Sequence, residues 1–418
     1  MKSSNQSQTV EHIFRHEYGK IVAILVHKFG AQSLEKIEDA VQNAFLKAMQ
    51  IWGYKEVPKN PTAWLLRVAS NGLIDVLRRE KKVQKHDEIH TLLSGLSEDE
   101  KEVSLDTTVD DSQLKMIFAC CNPSLPNESQ LILSLKLIGG FSNKEISKAL
   151  LKKEEAVAKS FTRAKKKFKE SIKTLDIPIE MGLSSRINSV LKVLYLLFTE
   201  GYTASEGTVI IKRDICYEAI RLALLLTENK TTNISEVHAL IALMCFHTSR
   251  FDARIDTNNE LVDLEHQDRT LYNKELIQIG MRHLYQAKER RSSNPSYYLQ
   301  AAISYYYCEA PSFEKIDWES VLLLYDLHLK YANSPLVQLN RIIPLYKVYG
   351  PKIGLETLVS MNREQKLNEN ALFYSIKAEM LKELDKFSEA KNALEKAIDL
   401  TKNEFQKKHL IRKLQKLR

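Results

Sequence analysis

The chain has 418 residues, of which 44% are hydrophobic, and its 61 Lys and Arg against 53 Asp and Glu give a formal net charge of +8. That length exceeds what one core supports and implies two to four domains, while the apolar fraction excludes a disordered or fibrous chain. Five cysteines, Cys120, Cys121, Cys216, Cys245 and Cys308, are odd in number and follow no metal-ligand spacing, which argues against a disulfide framework or a zinc site and fits a reducing cytoplasm.

The N-terminus, MKSSNQSQTVEHIF, has no apolar run of the signal-peptide kind, and no stretch approaches eighteen uncharged apolar residues. The expectation is a soluble, intracellular protein without membrane contact. Glycine and proline are scarce and long segments repeat at three and four, so the expected fold class is all-α.

In chain order, residues 9–85 form a first helical unit. A helix over residues 10–29 packs Phe14, Tyr18, Ile21 and Leu25. A second, over residues 34–52, turns Ile37, Val41, Ala44, Phe45 and Ala48 inward and leaves Asp39 and Gln42 on an exposed face. A third starts after Pro61, with Trp64, Leu65, Val68 and Leu73 as its core stripe. Arg67, Asn71, Asp75, Arg78 and Arg79 share its polar stripe. From Arg78 to Lys85 there are five basic residues and one acid, so this end should meet phosphate. An aromatic ring beside such a helix is a common platform for single-stranded bases.

Residues 86–111 then form an acidic linker, with nine acids and one Lys between Asp87 and Asp111. A like-charged linker stays extended and does not compete for DNA. The segment DSQLKMIFACCNPSLP opens the next unit, residues 112–176, with Cys120-Cys121 expected as core filler.

The stretch from Pro126 to Phe168 has the pattern of a helix-turn-helix. A nearly continuous apolar helix over residues 129–138 is stopped by Gly139-Gly140. Ser142 stands three residues before Glu145, the reciprocal capping box of a helix start. A short helix over residues 143–150 buries Ile146, Ala149 and Leu150, and Lys152-Lys153 make the turn. The next helix buries Val157, Phe161, Ala164 and Phe168. Between Lys144 and Lys173 there are eleven Lys or Arg against four Glu, the electrostatic footprint of phosphate contact. The second helix of such a unit enters the major groove with its N-terminal residues on base edges. Those are Glu155, Ala156, Lys159, Ser160 and Arg163, with Lys152, Lys153, Lys166 and Lys167 placed for phosphate.

Ile177-Pro178 marks the next boundary, since proline restricts the residue before it. A helical extension domain over residues 181–290 carries Glu200, His247, Arg250, Arg254, Glu265, His266, Asp268 and Arg269, many ionisable groups for a helical core. Their spacing fits no ligand pattern, so internal ion pairs are the expected use, ahead of a metal or hydrolytic site. No activated nucleophile with an adjacent base is visible, so no catalytic residue, metal or cofactor is assigned. Residues 295–418 come in helix pairs. In ALFYSIKAEMLKELDKFSEAKNALEKAIDLTK the small Ala378, Ala390 and Ala397 alternate with Tyr374, Leu381, Phe387 and Leu394, as stacked repeats require. Such repeats offer a concave face to a protein partner. From Lys402 to Arg418 there are seven basic residues and one acid, suited to nucleic acid or to the acidic linker.

The order IEDAVQNAF, NPTAWLLRVASNGLIDVLRREKK, an acidic spacer, then PNESQLILSLKLIGGFSNKEISKALLKKEEAVAKSFTRAKKKF resembles bacterial sigma factors of the extracytoplasmic-function (ECF) type, in their region-two and region-four domains. The segments TEGYTAS, HTSRFDAR, EHQDRTLYNKELI, LQAAISYYY, DWESVLLLYD and PLVQLNR stand where one group of these factors has its C-terminal extension with tetratricopeptide-like (TPR-like) repeats. The resemblance implies that Asp39, Gln42 and Phe45 dock on core RNA polymerase. It assigns the minus-ten promoter element to Trp64, Arg67, Asn71, Asp75, Arg78 and Arg79, and the minus-thirty-five element to the helix from Glu154. It also implies a protein that is no enzyme itself and that is regulated by its own extension. Two other readings use the same residues: a helix-turn-helix adaptor that recruits a partner through its repeats, and a metal-dependent nucleic-acid hydrolase using His247 and Glu265.

Overall fold

The computed structural model describes residues 17–52, 57–79, 112–150, 152–172, 175, 180–202, 213–258, 260–292, 294–365, 367–401 and 403–417. The acidic linker and Phe14 lie outside these residues. The protein is all-α, and the described residues divide into two compact units, residues 1–197 and 198–418. The only pairing of β type among them is an isolated bridge between Ile255 and Leu261.

The first unit begins with α1 (residues 17–29), α2 (Leu34–Trp52) and α3 (Pro61–Arg79). Asn60 accepts the Ala63 amide at 2.9 Å and Pro61 is the first helical residue, so α3 starts with an orphan donor satisfied and another removed. Next come α4 (residues 112–120), α5 (Asn127–Leu133), α6 (Asn143–Ala149) and α7 (Glu154–Ser171). The last turn of the α5 run, Ser134–Ile138, widens to a π-turn, and Gly140 leaves it at φ 66°, a conformation glycine adopts without strain. Here the expected straight helix ends one turn looser than its apolar pattern implies. Cys120 and Cys121 are buried, and burial raises both thiols, that of Cys121 to about 12, as fits core filler.

α8 (Glu180–Tyr202) begins in the first unit, where Arg186 donates to the Phe118 carbonyl at 2.5 Å, and its last turn belongs to the second. The division thus falls inside this helix, C-terminal to Ile177-Pro178. The second unit continues with α9 (Arg213–Glu228), α10 (Ser235–Ser249), α11 (Lys274–Lys288) and α12 (Ser296–Glu309). α10 is apolar and buried nearly all round, as a central helix must be. Its neighbours α11 and α12 pack on it, and Gly280 of α11 gives room to the Phe246 ring.

Helix pairs follow: α13 (Trp318–Leu329), α14 (Pro335–Tyr349), α15 (Pro351–Gln365), α16 (Ala371–Glu383), α17 (Phe387–Leu400) and α18 (Glu404–Lys416). Ala378, Ala390 and Ala397 are buried between Leu381 and Leu394, which lets α16 and α17 approach closely. Phe387 departs from the expected pattern: it opens α17 and stays 39% exposed.

Three charged or titratable side chains of α18 are turned inward. His409 contacts Asp263 at 2.9 Å, Lys413 bridges Asp263 at 2.8 Å and Glu379 at 2.6 Å, and Arg412 pairs with Glu260. Although burial opposes it, the His409 and Lys413 contacts hold the Asp263 carboxyl well below the usual range. A cavity of about 290 Å³ lies beside this clamp, with Glu265, His266 and Lys382 on its wall. Of the tail basics expected to meet nucleic acid or the linker, Arg412 and Lys413 are engaged by the segment 256–263, far back in sequence, while Lys408 and Lys416 stay exposed.

Two histidines tie α10 to α11. Asn233 donates to the Thr227 carbonyl at 2.7 Å, which turns its oxygen toward His238 Nε2 at 2.8 Å. His238 Nδ1 meets His283 Nδ1 at 2.8 Å, a contact that requires one nitrogen to lack a proton. Burial, then the His283 and Arg290 charges, lower His238 to about 4, and burial lowers His283 as well. Between pH 6.5 and 4 the unfolded chain therefore binds protons that the folded chain refuses, so stability falls with pH across this window. His238 alone should cost about 3 kcal/mol by pH 4. Thermal melts at stepped pH check this; a His238→Asn chain should show a flatter acid limb.

Candidate nucleic-acid interface

Three surfaces of the first unit carry the expected site residues. On α2, Asp39 and Gln42 are exposed, but Phe45 is 3% exposed and part of the core. Its side chain supports this face from behind and is not presented on it. The apolar side chains that are presented are Leu46, 56% exposed, and Met49, 53% exposed. They continue the Asp39–Gln42 line at helical spacing, so the face reads acid, amide, leucine, methionine. Sequence pattern alone missed them, because an apolar residue next to a broad buried stripe looks like part of it.

On α3, Arg67, Asn71, Asp75, Arg78 and Arg79 are all exposed along one side. Trp64 is half-buried, and its ring lies 5.3 Å from that of the buried Trp52 at an interplanar angle of 57°. Trp52 thus props Trp64 while leaving part of it open.

The third surface is built on α6 and α7, two helices joined by a short turn. The Ser142 hydroxyl accepts the Glu145 amide at 3.2 Å and Glu145 accepts the Ser142 amide at 2.8 Å, closing the capping box. Val157, Phe161, Ala164 and Phe168 are buried, which turns Lys159, Arg163, Lys166 and Lys167 outward. Lys152, Lys153, Glu155 and Ala156 are exposed at the start of α7, and Ser160 is half-buried. Glu128 of α5 holds Lys152 at 2.7 Å and accepts from Ser160 at 3.3 Å, so two of the expected contacts are partly engaged within the unit.

The opposite side of α7 rests on α2. Lys165 pairs with Glu38 at 2.7 Å, Lys169 with Glu35 at 2.8 Å, and Gln32 donates to the Lys169 carbonyl at 2.8 Å. Glu38 is 5% exposed, and burial raises its pKa against the pull of Lys165. Gly19 of α1 lies directly on the Ile138 carbonyl at the end of the π-turn. The two lobes of the unit are therefore packed with the basic face of α7 outward.

The ionisable set of the extension is split. Glu265, His266 and Asp268 are exposed, Asp268 capping the turn at Thr270, while His247, Arg250 and Arg254 lie together among aromatic rings. The Glu200 side chain lies outside the described residues. Among the described residues no group of three or more His, Cys, Asp or Glu is placed to hold a metal. No described helix is long and apolar enough to cross a membrane.

Residues 13–83 match Sigma-70 region 2, which spans the α1–α3 bundle and both of its exposed faces. This match supports a sigma-70 family factor with a role in transcription initiation, and implies binding to core RNA polymerase and promoter DNA. Over 377 residues it is 33% identical to an uncharacterized protein of Rhizobium meliloti (strain 1021), covering 89% of this chain and 88% of that protein. Residues 186–288 match a family of unknown function, DUF6596, which runs from α8 to α11. No solved structure matches the chain.

Proposed function

We propose that this sigma-70 family protein is of the ECF type, with a region-two domain over residues 9–85 and a region-four helix-turn-helix over residues 112–176. Its extension over residues 181–290 and its TPR-like repeats over residues 295–418 regulate it. The observation that carries the reading is the pair of outward faces in one unit: the polar stripe of α3 within the matched region 2, and the basic face of the capped helix α7. In this reading α2 docks on core polymerase through Asp39, Gln42, Leu46 and Met49. The stripe Arg67–Arg79, with Trp64 as a stacking platform, engages the opened minus-ten element, and α7 reads the minus-thirty-five duplex. The protein works in the cytoplasm, and a protein partner takes the repeat surface.

The adaptor reading uses α7 equally well but leaves the α2 face without a role. The hydrolase reading needs His247 and Glu265 together, and they stand apart: His247 packs against Tyr202 and Glu265 lies on the cavity wall beside α18.

Reconstituted transcription with purified core polymerase tests the proposal. Arg163→Ala should lower affinity for the cognate minus-thirty-five duplex by about 1–3 kcal/mol and relax its sequence preference, whereas Lys166→Ala should weaken all duplexes alike and lower the salt slope by about one. Promoter-independent output from the wild-type chain would refute the reading. Removing residues 180–418 should change promoter-dependent output; equal output with and without them would refute the regulatory part.

A further inference from the structure

The stretch from Ile255 to His266 lies against α16 and α18 in the way a bound peptide would. It first folds back on itself: Ile255 bridges Leu261, the Asp256 amide donates to the Glu260 carbonyl at 3.0 Å, and the Val262 amide donates to the Arg254 carbonyl at 2.9 Å. The Asp256 carboxylate caps the turn by accepting the Asn258 and Glu260 amides, each at 2.9 Å. The turn is thus closed by its own groups, independently of what it rests on. α18 then meets both its main chain and its side chains. His409 Nδ1 and Arg412 Nη2 each stand 3.1 Å from the Leu261 carbonyl oxygen. Arg412 pairs with Glu260, and Lys413 with Asp263 at 2.8 Å, so one carboxylate is taken on either side of Leu261-Val262. Recognition of short acidic segments uses these elements: cations for the carboxylates and polar groups for the main chain.

Two observations make this contact exchangeable. From Ile255 to His266 no described residue is fully buried, so the segment contributes nothing to a core. The paired side chains of Glu260, Asp263, Arg412 and Lys413 are between 26% and 35% exposed, and ion pairs open to water to that extent hold weakly one by one. The second observation is that the groove is larger than its occupant. The cavity of about 290 Å³ stays open beside the segment, with Ala378, Leu394 and Leu417 as apolar lining. Lys382 and Lys416 are exposed on its wall, and among the described residues neither has an ion-pair partner. A peptide with a further apolar side chain and a further carboxylate would use what the segment leaves unused.

We propose that the groove between α16 and α18 is a docking site for an acidic segment of a partner protein, with apolar residues between its carboxylates, and that residues 256–266 fill it in cis until such a segment displaces them. This rests on the reading that a protein partner takes the repeat surface, and it names the place and the chemistry of that contact. The tethered occupant competes at a high effective concentration, so only a segment that adds contacts along the cavity wall displaces it. The displaced turn keeps its own hydrogen bonds, and its acids pass into water, so the exchange leaves no buried charge unpaired.

The probe is a synthetic peptide of residues 256–266, DTNNELVDLEH, capped at both ends and fluorescently labelled, titrated with the full-length chain and read by polarisation. Wild type should bind it weakly, because its own copy competes, and the double variant Glu260→Gln, Asp263→Asn should bind it about tenfold or more tighter. Lys413→Gln added to that variant should weaken binding again, as should a probe with both acids changed to amides. A second reading needs no variant. Carbodiimide should join Lys413 to Asp263 in the wild-type chain, and excess probe should divert that link onto itself, at a mass set by its caps. No binding by either chain, or equal binding by both, would overturn the proposal. So would binding that Lys413→Gln leaves undiminished, or a link that excess probe does not divert. If the double variant does not melt cooperatively, the cross-link decides alone. Polymerase and promoter take no part in either reading, so a failure here leaves the promoter reading standing and returns residues 256–266 to the role of a fixed strap.

Discussion

Replacing Leu46 and Met49 together by Asp should abolish co-purification of core RNA polymerase and leave the protein folded. Both side chains are more than half exposed, and surface changes of this kind usually alter stability by no more than about 0.5 kcal/mol. At the centre of an interface, by contrast, truncating or charging an apolar anchor costs about 2 kcal/mol or more, at least thirtyfold in affinity for one residue. Phe45→Ala should do the reverse. Its ring is buried among Ile37, Val41 and Ala48 on the inner side of α2, so truncation leaves a cavity and costs about 3–5 kcal/mol of folding stability. Any loss of polymerase in that variant would follow from unfolding. Pull-downs read beside circular dichroism separate the two. Wild-type polymerase recovery with the doubly charged α2 would remove this face from the proposal.

The second large effect is at Gly19. A Cβ there would fall inside the van der Waals radius of the Ile138 carbonyl oxygen, which is backbone and cannot swing aside. Gly19→Ala must therefore push α1 away from the π-turn. Overpacking of this kind costs up to about 3 kcal/mol, a midpoint loss of roughly 6–12 °C for a unit of this size. The displacement should also separate Lys165 from Glu38 and Lys169 from Glu35, which lie on the same lobe contact. A zero-length carbodiimide cross-linker joins such lysine–carboxylate pairs. Wild-type protein should yield both cross-links, and Gly19→Ala should lose them. Retention of both, with an unchanged melt, would mean that the lobes do not pack through Gly19.

Much of the first unit was legible because its signals are local. The capping box Ser142–Glu145 spans three residues, and the stripe Val157, Phe161, Ala164, Phe168 sets the orientation of α7 by spacing alone. The faces of α3 follow in the same way. What escaped the sequence depends on distant partners. Glu38 looks like an ordinary surface acid until Lys165, 127 residues away, is placed on it. Arg412 and Lys413 look available until Glu260, Asp263 and Glu379 engage them. Leu46 and Met49 escaped for a different reason: hydropathy marks a helix's apolar side but not where burial stops. Likewise, ionisable groups of the extension read as mutual partners because they are close in sequence, yet the fold sends Asp268 to a turn and Arg254 to an aromatic ring.

The clamp of α18 on the segment 256–263 fixes more than a helix end. Stacked repeats usually evolve by duplication or loss of whole units, because each contacts only its neighbours and the array can lengthen freely. Here the run of helix pairs is fastened to itself: Lys413 and His409 meet Asp263, a residue that precedes all of those pairs. Adding or removing one helix pair would displace α18 by about a repeat's width and strand both sides of that contact as uncompensated charges. The number of helix pairs ahead of α18 is therefore held by geometry, and variation between relatives should collect in loops and surface positions and leave that number unchanged.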